Sequence, residues 1–127
     1  MILADTSVWV GHLRQADPQL QQLLLDGRVL IHPFVIGEIA CGNLRNRPAV
    51  LSLLRELPPV VPARDEEVLA AVDGHRLWGK GIGWIDAHLL ASALLSKCAL
   101  WTHDRRLRAA AAELKVQWPS HGPRKTR

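Results

Sequence analysis

The sequence predicts an α/β domain of three layers, with helices on both faces of a central parallel sheet of four to five strands. Short apolar runs of strand length alternate with longer helical patterns from one end of the chain to the other. The first of those runs is apolar throughout, as expected of a strand buried on both faces. At 127 residues the chain is long enough for one domain with a substantial core.

Residues 1–5 read as the first strand, ending in Asp5. Val8, Trp9 and Leu13 then mark a short helix over Thr6 to Arg14, which Asp5, Thr6 or Ser7 can cap. Asp17-Pro18 has the form of an N-cap followed by proline in the first turn. Leu20, Leu23 and Leu24 give this second helix its apolar face, and Gly27 closes it. Arg28 to Ile31 is the second strand, and His32-Pro33 opens a helix from Phe34 to about Asn43 that contains Glu38. A helix through Leu51, Leu54 and Leu57 ends at Pro58-Pro59.

Val60-Val61 reads as a brief third strand, and Asp65 as the cap of a helix carrying Val68, Leu69 and Val72. The glycine-rich stretch Gly79 to Gly83 delivers the chain into Trp84 to Leu95, a helix apolar nearly all round and therefore central. Cys98 to Trp101 is the fourth strand, Arg105 to Leu114 a helix, and Val116 to Trp118 a fifth, edge strand. These elements define one domain over residues 1–118, followed by a polar, basic tail at 119–127 that is expected to be disordered.

Composition narrows the function classes. No apolar run is long enough to span a bilayer, and the N-terminus lacks a signal-peptide pattern, so a cytoplasmic protein is expected. Cys41 and Cys98 occupy apolar helical contexts without metal-type spacing and are expected to be buried free thiols. The net charge is +4, from 16 basic and 12 acidic residues. If four acids form one cluster, eight remain against 16 bases elsewhere, and a basic surface with one acidic hole suits a polyanion that must meet a metal.

Four acids stand where solvated carboxylates are not expected: Asp5 and Asp104 end apolar strands, and Glu38 and Asp86 lie within apolar helical runs. Asp5, Asp86 and Asp104 equally suit helix N-capping. Glu38, in mid-helix, has no capping role and is expected to need a cation. Strand ends converge on one edge of a parallel sheet, and the two helical acids can lean over it. A set of oxygen donors without Cys or a His pattern points to Mg²⁺ or Mn²⁺, hence to phosphodiester hydrolysis.

Asp5-Thr6-Ser7 after an N-terminal strand, Glu38-Ile39 with Gly42 beyond, Asp86-Ala87 leading Leu90-Ala91, and Thr102-x-Asp104 together resemble the PIN domain. Size and coverage are similar to the VapC toxins of toxin–antitoxin pairs. The resemblance implies a PIN-like fold of sheet order 3-2-1-4-5 and a metal-dependent endoribonuclease with Asp5, Glu38, Asp86 and Asp104 as catalytic and metal-binding acids. It further implies Thr6 and Thr102 as supporting hydroxyls, an RNA substrate, a homodimer and a cognate antitoxin protein.

Other residues admit two readings. Trp101 and Trp118 belong to strands and are expected in the core or at its edge, while Trp9 and Trp84, neighbours of Asp5 and Asp86, are candidates for packing, an antitoxin contact or base stacking. His103 is a loop residue within reach of substrate, and His88 is expected to face away from Asp86 as a hydrogen-bonded helical side chain. Arg105, Arg106 and Arg108 open a helix, an unfavourable place for cations, so either phosphate contact or a solvated face explains them. The glycine loop lacks the spacing of a nucleotide-binding motif. Two rival functions are a non-catalytic metal- and RNA-binding regulatory module and a phospho-acceptor receiver domain; the first strand lacks the acidic pair that the latter wants.

Overall fold

The computed structural model describes residues 1–119; Ser120 to Arg127, nearly all of the expected basic tail, lie outside the described residues. The chain runs β1 (Ile2–Ala4), α1 (Thr6–Arg14), α2 (Pro18–Leu25), β2 (Val29–Leu30), α3 (Pro33–Ala40), α4 (Arg47–Glu56), α5 (Asp65–Gly74), α6 (Trp84–Ser96), β3 (Ala99–Trp101) and α7 (Arg105–Glu113). The expected α/β/α arrangement is present, with a parallel sheet in the order β2-β1-β3. Its register pairs Leu3 with Leu30 on one side and Ala4 with Trp101 on the other. All three residues of β1 are buried, as its unbroken apolar run requires.

The sheet has three strands among the described residues, not the four to five expected. The expected third and fifth strands survive only as single parallel bridges, Ile31 to Pro59 and Leu100 to Gln117, on the outer sides of β2 and β3. Proline chemistry explains the first loss: Pro59 and Pro62 have no N–H to give to a ladder. The amides of Val61 and Ala63 instead donate to the hydroxyls of Ser96 and Ser92 on α6. At the other edge the bridge closes with Trp118 N–H donating to Leu100 O, and Pro119 follows immediately.

α6 is the central helix: Ala87 to Ala93 are buried without interruption. Its alanines Ala87 and Ala91 meet Val68 of α5 in a small second cluster, while Leu89, Leu90 and Ala93 join the main core with β1 and Leu100. Asp17 caps α2 by accepting from the amides of Gln19 and Leu20, and Gly27 takes the left-handed conformation after it, with φ of 67°. α3 ends at Ala40, three residues before the expected boundary, and Cys41, its C-cap, is exposed rather than buried. Cys98 is the buried thiol of the two. The cap of α5 is Arg64 rather than Asp65; its amide is held by the carboxylate of Glu67 one turn on.

Candidate active site

β1 and β3 lie side by side and end together, and the Asp5 amide donates to Trp101 O at 3.0 Å. Asp5 is therefore fixed by the sheet itself. Its carboxylate, buried at 6% exposure, is held on both oxygens. Oδ1 accepts from Ser7 Oγ at 2.5 Å and from the Val8 amide at 3.2 Å, and Oδ2 accepts from Thr102 Oγ1. The Val8 bond makes Asp5 the N-cap of α1, so a capping role and a place at the sheet edge coexist in one residue.

Thr102, itself buried, also accepts from the Asp104 amide at 3.0 Å. Asp104 is exposed and caps α7: its Oδ1 accepts from Arg106 N at 2.9 Å and Leu107 N at 3.0 Å. One hydroxyl thus ties the two strand-end acids together.

Glu38 is exposed, not on the buried face that its apolar helical run suggested, so burial alone does not oblige it to find a cation. It is engaged by a neighbouring helix: Thr6 Oγ1 donates to Glu38 Oε1 at 2.5 Å, linking α1 to α3. Thr6 therefore supports Glu38 and not Asp5. Ser7, named from the sequence as a possible helix cap but not as a supporting hydroxyl, supports Asp5 and also accepts from His103 N at 3.0 Å. Two adjacent hydroxyls can serve two different acids because consecutive residues of a helix point about 100° apart.

Asp86 is half-buried at the third position of α6, not its cap, and its Oδ2 reaches back to the Gly83 amide at 3.3 Å. Burial raises its pKa, the Gly83 hydrogen bond opposes that, and the negative charges of Asp104, Asp5 and Glu38 each raise it further. The four predicted acids therefore share one electrostatic neighbourhood. They do not form a finished cage: among the described residues, no three Asp, Glu, His or Cys side chains are placed to hold one metal ion. Each carboxylate is held by its own local donors.

A model of the PIN domain matches residues 2–113. The chain belongs to the PIN-domain family. It is 50% identical over 117 residues to "Ribonuclease VapC32" from two strains of Mycobacterium tuberculosis, CDC 1551 and H37Rv, covering 91% of this chain and 94% of the relative. Among solved structures, the crystal structure of PAE2754 from Pyrobaculum aerophilum resembles it with a TM-score of 0.57 at 20% identity, covering 86% of this chain and 78% of that one. That likeness concerns the fold.

Around the acids this PIN domain differs from several sequence expectations. Trp9 is buried in the core, which removes it as a stacking surface, whereas Trp84 is 44% exposed. Trp101 is buried and Trp118 lies against it with ring centroids 4.6 Å apart. His88 is buried with neither ring nitrogen hydrogen-bonded among the described residues, which corrects the expectation of a hydrogen-bonded helical side chain. Its ring sits 4.7 Å from those of Phe34 and Trp84 and 6.3 Å from His32. Its Nε2 lies 3.2 Å from Asp65 Oδ1 without an aligned hydrogen bond. His32 caps α3 by accepting from Phe34 N.

Beside Asp104 lies an open groove of about 650 Å³ lined by Lys80, His103, Asp104, Arg105, Arg106 and Glu113 among others. Lys80 and Glu113 pair across it at 2.6 Å. Arg108 turns aside and donates to Thr102 O at 3.2 Å, bracing the β3–α7 turn. No helix among the described residues is long and apolar enough to cross a membrane.

Proposed function

We propose that this chain is a metal-dependent endoribonuclease that hydrolyses RNA phosphodiester bonds as the toxin of a toxin–antitoxin pair. The observation that carries the reading is the shared field of Asp5 and Asp104, at the ends of β1 and β3, with Glu38 of α3 and Asp86 of α6, in a chain 50% identical to a ribonuclease over nearly its whole length. In this reading the nuclease domain occupies residues 1–118 and acts in the cytoplasm as a homodimer, silenced by a cognate antitoxin protein.

The chemistry of the donor set fits Mg²⁺ or Mn²⁺. All four groups are carboxylates, and Asp86 is repelled by the other three, a cost that a divalent cation in their midst would relieve. Asp5, Glu38, Asp86 and Asp104 would hold it. When bound, such a cation offsets phosphate charge and acidifies an attacking water. The protein's own part is orientation: Ser7 and Thr102 fix both oxygens of Asp5, Thr6 aims Glu38, and the Gly83 amide restrains Asp86.

Incubation of the purified protein with a mixed RNA substrate in Mg²⁺ or in Mn²⁺, with and without excess EDTA, tests the reading. Cleavage abolished by EDTA is expected; cleavage that persists in EDTA contradicts the metal requirement, and no cleavage with either metal contradicts the enzyme.

A further inference from the structure

Arg106 occupies an unusual position between two of the acids. Its amide donates to Asp104 Oδ1, so the start of its side chain is tied to the acid that ends β3. Its far end lies across the glycine loop: a Cβ added at Gly81 would fall 2.5 Å from Arg106 Cδ, 2.9 Å from Nη1 and 3.0 Å from Nε. Gly81 has φ of 78°, and the absence of a side chain there is what admits the guanidinium. Two residues further on, Gly83 holds Asp86. The guanidinium is thus laid against the loop that positions one acid, on a helix capped by another.

Among the described residues a cation there has no acidic partner. Among the described residues the ion pairs are Arg64 with Glu66 and Glu67, Lys80 with Glu113, and His88 with Asp65, and Arg106 makes none. The groove that it lines is open and runs beside Asp104; its one lysine, Lys80, is already neutralised by Glu113. Arg105 is the other groove-lining guanidinium without an ion pair among the described residues, but it does not lie against the glycine loop as Arg106 does. A planar guanidinium with several unclaimed donors, held in a groove next to repelling carboxylates, matches a phosphate better than a point charge would.

We infer that Arg106 is an RNA-binding residue, seated by Gly81 so that its guanidinium grips a backbone phosphate neighbouring the one to be cut. The inference rests on the proposed ribonuclease function. It gives the cationic start of α7 a purpose, since arginine at a helix N-terminus is otherwise unfavourable. It also gives the glycine loop one, as a seat for a side chain and not as a nucleotide cradle.

The test uses the full chain carrying Asp5→Asn, so that RNA is bound without being consumed, and a fluorescent single-stranded RNA oligonucleotide titrated at several salt concentrations. Arg106→Ala is expected to weaken binding at least several-fold at low salt. It should also flatten the plot of log affinity against log salt by about 0.7, the slope of one lost phosphate contact on a single strand. Arg106→Lys should restore the slope while leaving affinity below that of the parent, because the charge returns without the fork. Arg55→Ala, an equal loss of charge on α4 and outside the groove, should change neither.

Unchanged affinity and slope in Arg106→Ala, or an equal loss in Arg55→Ala, would overturn the assignment. Cleavage by the wild-type chain is measured alongside. If the wild type cleaves RNA and Arg106→Ala binds like its parent, only the assignment of Arg106 falls; if the wild type cleaves nothing, the enzymatic reading falls instead.

Discussion

Thr102 and Asp5 are joined by a buried hydrogen bond across 97 residues of sequence, from the end of β3 to the end of β1. The same Thr102 oxygen accepts from the Asp104 amide, so a single hydroxyl sets the relation between two acids. Replacing Thr102 with valine keeps the shape and removes the bond. It should cost about 1–2 kcal/mol of stability, from a buried carboxylate oxygen losing its donor. Cleavage should fall roughly 10–100-fold, the usual effect of removing a residue that orients a metal-binding group. Urea denaturation and single-turnover cleavage check the two effects separately.

Asp86 bears a cost that its neighbours impose, since burial and three like charges all oppose its ionisation. A group whose pKa is raised in the folded state weakens folding at neutral pH, where the unfolded chain would ionise it freely. Asp86→Asn retains an oxygen for the Gly83 amide while removing the charge. The variant should melt above the wild type and cleave no RNA, a trade of stability for function that calorimetry and an activity assay can read. A lower Tm would contradict the repulsion.

Burial, with the nearby His88 imidazole second, lowers His32 from 6.5 to about 4. Between those values the unfolded chain binds a proton that the folded chain refuses. Stability from this group is therefore complete above about pH 6.5, is lost as pH falls toward 4, and declines no further below that. The loss is at most about 3 kcal/mol. His32→Asn, which preserves an acceptor for the Phe34 amide, should flatten that part of the pH dependence of the urea midpoint; an unaltered profile would contradict it.

The two thiols should differ sharply. Cys41 is exposed at the end of α3, whereas Cys98 is buried and burial pushes its pKa up. Ellman's reagent should titrate one thiol per native chain and two after denaturation. Two fast-reacting thiols in the native protein would contradict the placement of Cys98.

Legibility in the sequence followed physical locality. Asp5 and Asp104 could be placed because an apolar run that ends in a carboxylate fixes a strand end, and strand ends of a parallel sheet share an edge. The exposure of Glu38 could not, because it depends on how α1 and α3 pack, and the composition of α3 alone makes all of it look buried. Likewise Thr6 and Ser7 are indistinguishable as neighbours of Asp5 until the helix begins at Thr6 and turns one hydroxyl toward Glu38 and the other toward Asp5. The edge strands failed for a reason that was visible: Pro59, Pro62 and Pro119 punctuate both of them. What was not visible is that Ser92 and Ser96 would take over the amides of the first. His88 shows the limit of spacing arguments, since two residues from Asp86 on a helix that is buried nearly all round still leads into the interior.

The central claim is that Asp5 serves catalysis and not only the start of α1. Asp5→Asn retains a side-chain oxygen for the Val8 amide, so the helix cap survives while the charge is lost. The decisive measurement is RNA cleavage in Mg²⁺ by wild-type and Asp5→Asn protein at equal concentration, with circular dichroism on both. Cleavage lost with the spectrum unchanged is the predicted result; a folded Asp5→Asn chain that cleaves RNA at the wild-type rate would contradict it.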